Sequence, residues 1–169
     1  YINSNNYRVI IGSGDYIWCG SLEGGIVQWN KKDGSFTRYT VDNGLPDNSI
    51  NDLAMDRDGI IWIASPNGGI TLYDGNRFKT YENTKGCLSV AVDKNNVRWF
   101  GMTNGALSFD GTVWKSYTRQ NGFMADGVND IAVDDDNVKW FACGNNGIWS
   151  YNGTNWKMYS EGDGVLNAY

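Results

Sequence analysis

The sequence predicts an all-β protein of the β-propeller class, and three observations predict it. The 169 residues include 22 Gly, 8 Trp and 10 Tyr, a composition that favours turns and large aromatic strand residues over long helices. A sequence unit recurs about every 40 residues, a period typical of solenoids and propellers. Within each unit, short apolar segments alternate with turns rich in Gly, Asp and Asn. We therefore expect four-stranded antiparallel blades arranged around an axis.

A tryptophan marks the second segment of every unit. These residues are Trp18, Trp62, Trp99 and Trp140, which lie 44, 37 and 41 residues apart. We predict that each Trp fills the space between adjacent blades and forms the structural core. Replacement of such a buried ring by Ala should cost about 3–5 kcal/mol.

The four units account for nearly the whole chain. We predict a single propeller domain over residues 1–169, with blades at residues 6–42, 49–83, 87–119 and 128–160. The strand-sized segments are clearest in the second unit, where they read INDLAMD, GIIWIAS, GGITLYD and RFKTYEN. The turns between third and fourth segments read DGN, DGT and NGT, and such Asp-Gly or Asn-Gly pairs favour tight hairpins. Each blade is therefore expected to be a four-stranded antiparallel meander.

The stretch DRDGIIWIASPNGGITLYDG at residues 56–75 resembles the two-component regulator propeller repeat, and its pattern recurs in all four units. NGLPDNSIND at residues 43–52 is similar to the linker between blades in that family. There, such repeats form the extracytoplasmic sensor region of bacterial signalling proteins, commonly hybrid sensor kinases that respond to carbohydrates. The resemblance implies a periplasmic or extracellular location and glycans as a ligand class. Typical members have many more blades, plus transmembrane and kinase segments, so we expect either a fragment or a small stand-alone relative.

Four blades allow two kinds of closed ring. One chain could close a four-bladed ring, or two chains could form an eight-bladed ring as a homodimer and cover each other's sheet edges. The broad, Trp-rich blade faces favour the wider ring, so we expect a homodimer. A closed monomer and a fragment of a larger sensor are the alternatives.

The sequence contains no histidine, which disfavours an enzyme because His is the commonest general base and metal ligand. DDDN at residues 134–137 lacks the spacing and the terminal Glu of an EF-hand calcium loop. Cys19, Cys87 and Cys143 show neither zinc-site nor disulfide spacing. We therefore predict no catalytic residues, no metal site and no cofactor.

The charge and hydropathy patterns disfavour nucleic acid as a partner and a membrane-spanning segment in this chain. The net charge is −5, and no Lys/Arg cluster is present that could neutralise a row of phosphates, so nucleic acid is not expected. No apolar run approaches the 18 or more residues of a membrane span. We expect no membrane span in this chain.

The turns and linkers on one propeller face supply the candidate ligand-binding residues. With conventional strand order, inter-blade linkers and the turns between second and third strands share a face, and their polar residues vary between units. The candidates are Glu23, Asp47, Asn67, Lys85, Asn104, Phe123, Asp126, Asn145 and Asn146. Phe123 and Met124 are expected to be exposed apolar contacts for a ligand or partner. The predicted function is non-enzymatic ligand sensing, and the alternative is a protein-interaction scaffold.

Overall fold

The structure, a computed structural model, describes residues 6–123 and 125–165. These residues form four separate four-stranded sheets, and in each sheet the strands pair in chain order as an antiparallel meander. The predicted all-β architecture of four propeller blades is confirmed. Alternating apolar residues and Gly- or Asn-rich turns produce this arrangement, because the chain reverses after strands of 3 to 7 residues.

The strands are numbered in chain order. Blade 1 contains β1 (Tyr7–Ser13), β2 (Tyr16–Ser21), β3 (Ile26–Asn30) and β4 (Phe36–Tyr39). Blade 2 contains β5 (Asp52–Met55), β6 (Ile61–Ser65), β7 (Gly69–Tyr73) and β8 (Phe78–Thr80). Blade 3 contains β9 (Cys87–Val92), β10 (Arg98–Met102), β11 (Gly105–Phe109) and β12 (Trp114–Tyr117). Blade 4 contains β13 (Asp130–Val133), β14 (Lys139–Ala142), β15 (Ile148–Tyr151) and β16 (Trp156–Tyr159).

The chain divides into two compact units, and the boundary along the sequence falls between Cys87 and Leu88. Unit 1 holds blades 1 and 2, and unit 2 holds essentially all of blades 3 and 4. The single domain over residues 1–169 stays a prediction. None of the helices in the described residues is long and apolar enough to cross a membrane.

The core of unit 1 lies between its two blades. Trp18 on β2 is 6% exposed, and its ring is parallel to that of Tyr39 on β4, with centroids 5.9 Å apart. Both rings also contact Tyr73 of blade 2, whose centroid lies 5.7 Å from that of Trp18 and 5.1 Å from that of Tyr39. Leu53 and Ile63 complete the same buried cluster. The Trp therefore fills the space between blades, as predicted.

Unit 2 repeats this packing with different residues. Trp99 on β10 is 4% exposed and stacks on Tyr117 of β12, with centroids 5.3 Å apart. It also contacts Tyr151 and Phe141 of blade 4 at 5.7 and 6.0 Å. Burial of large aromatic rings is the main stabilising contribution at such a contact.

An aspartate six residues before the Trp ties the first hairpin of a blade to its core. The indole Nε1–H of Trp62 donates to Oδ2 of Asp56 at 2.8 Å. The other oxygen of Asp56 accepts the backbone N–H groups of Asp58 and Ile60, both at 3.0 Å. The same indole bond joins Trp99 to Asp93 at 3.1 Å. The acid therefore does more than shape a turn.

Blades 1 and 4 show how this aspartate contact varies. In blade 1 Gly12 occupies the position of the aspartate. In blade 4 Trp140 donates to Asp134 at 2.7 Å, and this bond, followed by one from the Val138 backbone, lowers the pKa of Asp134.

The three cysteines are free thiols in strands or at their ends. Cys87 and Cys143 are buried and Cys19 is half-buried. Burial raises the pKa of Cys143 to about 12, so this thiol stays protonated at neutral pH and is poorly reactive.

Candidate functional site

A cavity of about 300 Å³ opens in unit 2 beside the linker that joins blades 3 and 4. Its lining residues are Asn104, Thr118, Arg119, Gln120, Ala125 and Asp126. Asn104 comes from the turn between β10 and β11, and the others come from the linker. The structure therefore brings two of the sequence-predicted site residues, Asn104 and Asp126, together in one cavity.

A short capped turn holds the linker in place. The Thr118 N–H donates to the side-chain oxygen of Asn121 at 2.7 Å, and the Thr118 hydroxyl accepts the Gln120 N–H at 3.4 Å. Gly122 then adopts a left-handed conformation with φ 96°, which a residue with a Cβ rarely takes. The turn exposes Arg119 and Gln120 to solvent.

An exposed ion pair lies at the cavity. Nη2 of Arg119 is 2.7 Å from Oδ2 of Asp126, and the two side chains are 56% and 68% exposed. Exposed pairs of this kind contribute at most about 1 kcal/mol. Each partner can therefore exchange the other for a ligand at small cost.

Asn146 adjoins the same region from blade 4. Its side-chain oxygen accepts the backbone N–H of Asp126 at 3.3 Å. This contact fixes the end of the linker against the turn between β14 and β15. A third predicted residue thus supports the cavity without lining it.

The lining offers donors and acceptors in nearly equal measure. Arg119 supplies guanidinium N–H groups, Asn104 and Gln120 supply amides, and Asp126 supplies a carboxylate. Ala125 also lines the cavity but is 2% exposed, so it offers a ligand little apolar surface. Of the described lining residues, Asp126 is the one carboxylate, and general acid–base hydrolysis by a carboxylate pair would need two. Across residues 6–123 and 125–165, no group of three or more Cys, Asp or Glu side chains could hold a metal ion.

The remaining predicted residues do not line this cavity. Glu23, Asp47, Asn67 and Lys85 belong to unit 1, and Asn145 is exposed beyond the lining. Asp47 has a local structural part, because it accepts the Ser49 N–H at 3.2 Å and the Ser65 hydroxyl at 3.3 Å. The other three unit 1 residues are exposed.

The predicted exposure of Phe123 is wrong. Phe123 is fully buried and packs against Phe141 and Trp156, with ring centroids 5.7 and 4.5 Å away. The left-handed Gly122 turns the chain so that the next side chain points into the core. Its counterpart in the first linker, Leu45, is also buried and follows the left-handed Gly44. Met124 lies outside the described residues.

Sequence reasoning missed Arg119, Gln120 and Thr118. The signal was the close match between two linkers, TVDNGLPDNSIND at residues 40–52 and TRQNGFMADGVND at residues 118–130. Aligned, they place Arg119 opposite Val41 and Gln120 opposite Asp42. The same alignment pairs Phe123 with Leu45, so an apolar residue follows the Gly in both linkers.

Part of the sequence matches a known protein-family model. Residues 44–67 match the family model described as two component regulator propeller. The matched segment contains Trp62 and most of the linker at residues 43–52, and it confirms the resemblance drawn from the repeat. A search of curated proteins finds no match.

Solved structures share the fold. The extracellular domain assigned to the hybrid two component system BT3049 from B. thetaiotaomicron superimposes with a TM-score of 0.85, at 18% identity, over 95% of this chain and 24% of that one. The extracellular domain assigned to the one component system BT4673 from the same organism gives 0.75 at 17% identity, over 90% of this chain and 22% of that one. Streptogramin B lyase gives 0.75 at 21% identity, over 94% and 55%. The chain thus spans about a quarter of the length of the extracellular domains it matches.

Proposed function

We propose that this chain is a non-enzymatic, ligand-binding sensor propeller that works in the periplasm or outside the cell. The observation that carries the proposal is the cavity of about 300 Å³ where Asn104, Gln120 and the Arg119–Asp126 pair converge. The fold shared with extracellular domains of two-component systems supports the location.

The ligand class follows from the chemistry of the lining. Guanidinium, amide and carboxylate groups together can donate to and accept from the hydroxyl groups of a sugar. The charges of Arg119 and Asp126 cancel, which favours a neutral ligand over an acidic or basic one. The cavity volume is at the lower end of the range for small-molecule sites. We therefore propose a neutral glycan, bound through its hydroxyl groups.

Thermal unfolding in the presence of neutral mono- and disaccharides tests this proposal. A ligand that binds only the folded state at 100 times its Kd stabilises by about 2.7 kcal/mol, so the Tm should rise with concentration. Gln120→Ala and Arg119→Ala should abolish the rise because they remove hydroxyl-binding groups from the cavity. Asp42→Ala is the matched control, since it alters the corresponding position of the first linker and should keep the rise.

Two outcomes would contradict the proposal. One is the absence of any saccharide-dependent shift in the unmodified chain. The other is a shift that Gln120→Ala and Arg119→Ala leave unchanged, which would place binding elsewhere. Isothermal titration calorimetry with the same sugars and variants separates binding from general effects of sugars on stability.

A further inference from the structure

Blade 1 carries a row of one aliphatic and two aromatic side chains on the sheet face opposite Trp18. Ile17, Trp29 and Phe36 lie side by side across β2, β3 and β4. Trp29 is 51% exposed and Phe36 is 60% exposed. Ile10 on β1, 68% exposed, extends the same face. Isolated exposed apolar residues are ordinary, but a contiguous patch of this kind marks an interaction surface.

The corresponding row of blade 2 is covered. It consists of Ile61, Tyr73 and Phe78, paired across β6, β7 and β8. Ile61 and Tyr73 are 2% and 8% exposed. The row packs on the stacked Trp18 and Tyr39 of blade 1.

The corresponding row of blade 4 is packed in the same way. It consists of Lys139, Tyr151 and Trp156, and it meets the stacked Trp99 and Tyr117 of blade 3. In both units, therefore, a blade-to-blade contact joins a three-residue row on one blade to a Trp–Tyr stack on the blade before it.

Blade 4 presents another such stack on its opposite face. Trp140 packs on Tyr159, with centroids 5.2 Å apart, and it is more exposed than Trp18 or Trp99. Beside it is a shallow cavity of about 220 Å³, to which Ala132, Ala142 and Ile148 contribute. This surface has the composition of the stacks that are covered in units 1 and 2.

We propose that a second copy of this chain docks the blade 1 row, Ile17, Trp29 and Phe36, onto the Trp140–Tyr159 stack of blade 4. The occupant follows from continuity with the two contacts already in the chain, because the two open faces carry the two halves of that same contact. In this contact Ile17 would face Asp134, whose carboxylate accepts three N–H groups, from Trp140, Asp136 and Val138. The equivalent Asp93 of unit 2 also has the ammonium group of Lys139 beside it, and Ile17 supplies no such group to Asp134. Such a head-to-tail contact either closes into a ring or continues as a chain of copies.

Light scattering coupled to size exclusion, at several concentrations, tests the proposal. One chain is 18.8 kDa, and we expect a mass of at least twice that value. Trp29→Glu and Phe36→Glu should each return the mass to that of one chain. Both side chains are exposed in the single chain, so the charge should not disturb its fold, which near-UV circular dichroism checks. Val113→Glu, at a residue that is 52% exposed and belongs to neither proposed surface, is the control and should leave the mass unchanged.

A gain-of-affinity variant tests the alignment of the blades. Ile17 occupies the position that Lys139 occupies in blade 4, and Lys139 lies 3.6 Å from Asp93 of blade 3. In the proposed contact, Ile17→Lys would meet Asp134 in the same way. Self-association should tighten about tenfold or more, and Asp134→Asn should remove that gain.

A mass of 18.8 kDa at every concentration would overturn the proposal. An assembly that survives Trp29→Glu and Phe36→Glu would also overturn it, because another surface would then hold the copies together. Tightening by Ile17→Lys that persists with Asp134→Asn would contradict the alignment of the blades.

Discussion

The two blade-to-blade contacts, one in each compact unit, share an aromatic stack and differ in their polar residues. The stack is Trp18 on Tyr39 in unit 1 and Trp99 on Tyr117 in unit 2. It meets Tyr73 and Tyr151 of the following blade, respectively. Unit 2 adds a buried ion pair, with Nζ of Lys139 3.6 Å from Asp93 and both side chains at most 5% exposed. In unit 1, Gly12 and Ile61 occupy the corresponding positions.

Two blades can therefore pack together without an ion pair across their contact. Unit 1 buries Trp18 to 6% exposure without a carboxylate at position 12. A buried ion pair gains little over well-packed apolar residues, yet it is costly to break because one charge is left uncompensated. Unit 2 should therefore be the more sensitive of the two to single substitutions at this contact.

The largest effect should come from removing the shared element. Trp18→Ala and Trp99→Ala should each lower the free energy of unfolding by about 3–5 kcal/mol, because each leaves a large cavity between blades. Trp140→Ala should cost less, about 1–2 kcal/mol, since its ring is only half-buried. Urea unfolding followed by far-UV circular dichroism measures all three. Equal losses at positions 140 and 99 would show that exposure does not set the contribution.

The next largest effect should come from substitutions at Lys139 and Ile61, the equivalent positions at which the two contacts differ. Lys139→Ile should cost about 3 kcal/mol, because it removes the ammonium group that pairs with the buried Asp93 carboxylate. The mirror substitution, Ile61→Lys, should cost at least as much, since Gly12 offers no carboxylate to the buried amine. Ile61→Met conserves volume and should cost less than about 1.5 kcal/mol. A loss below 1 kcal/mol for Lys139→Ile, by the same urea measurement, would remove the distinction between the units.

The sequence predicted these contacts in outline because large residues recur in register. Trp18, Trp62 and Trp99 are buried as expected, and the regular turns correctly predicted four meanders. The aspartate–indole bond was missed, although Asp56 and Asp93 each precede a Trp by six residues. An Asp in a turn has a sufficient local explanation, so nothing in the sequence required a second bond.

The candidate cavity was predicted less well than the fold. Side-chain direction in a linker depends on single backbone torsions, and a left-handed Gly122 sends Phe123 inward and leaves Arg119 outside. The polar variation that selected Asn104 and Asp126 also selected Glu23 and Asn67, which line no part of the cavity. Variation between repeats identifies exposed positions, whereas convergence on one cavity is a property of the folded chain.

A smaller effect should isolate the aspartate–indole bond. Trp99→Phe and Trp18→Phe remove the same atoms from equivalent positions, but only Trp99 donates to an aspartate six residues earlier. The loss of unfolding free energy at position 99 should exceed that at position 18 by about 1.5–3 kcal/mol, the contribution of a hydrogen bond to a charged group. Equal losses would mean that the bond contributes nothing beyond ring burial.

The smallest effect concerns acid sensitivity at the outer hairpins of the two units. Hydrogen bonds from Val113 and Thr112 lower the pKa of Asp110 to about 2. In blade 4 Asn152 accepts the same kind of bonds, from Thr154 at 3.0 Å and Asn155 at 2.8 Å, without a titrating group. In unit 1 both equivalent turns carry carboxylates with lowered pKa values, Asp33 and Asp74.

A folded-state pKa below the unfolded value means that the Asp110 carboxylate stabilises the fold above about pH 4 and loses that contribution as the pH falls through about 2. Asp110→Asn should therefore flatten the decline of Tm between pH 4 and 2 while leaving the Tm at pH 7 nearly unchanged, because the amide oxygen can accept the same N–H groups. Asn152→Asp should steepen the decline. Since the carboxylate is exposed, both changes should be small. A decline that neither variant alters would assign the acid sensitivity of unit 2 to other carboxylates.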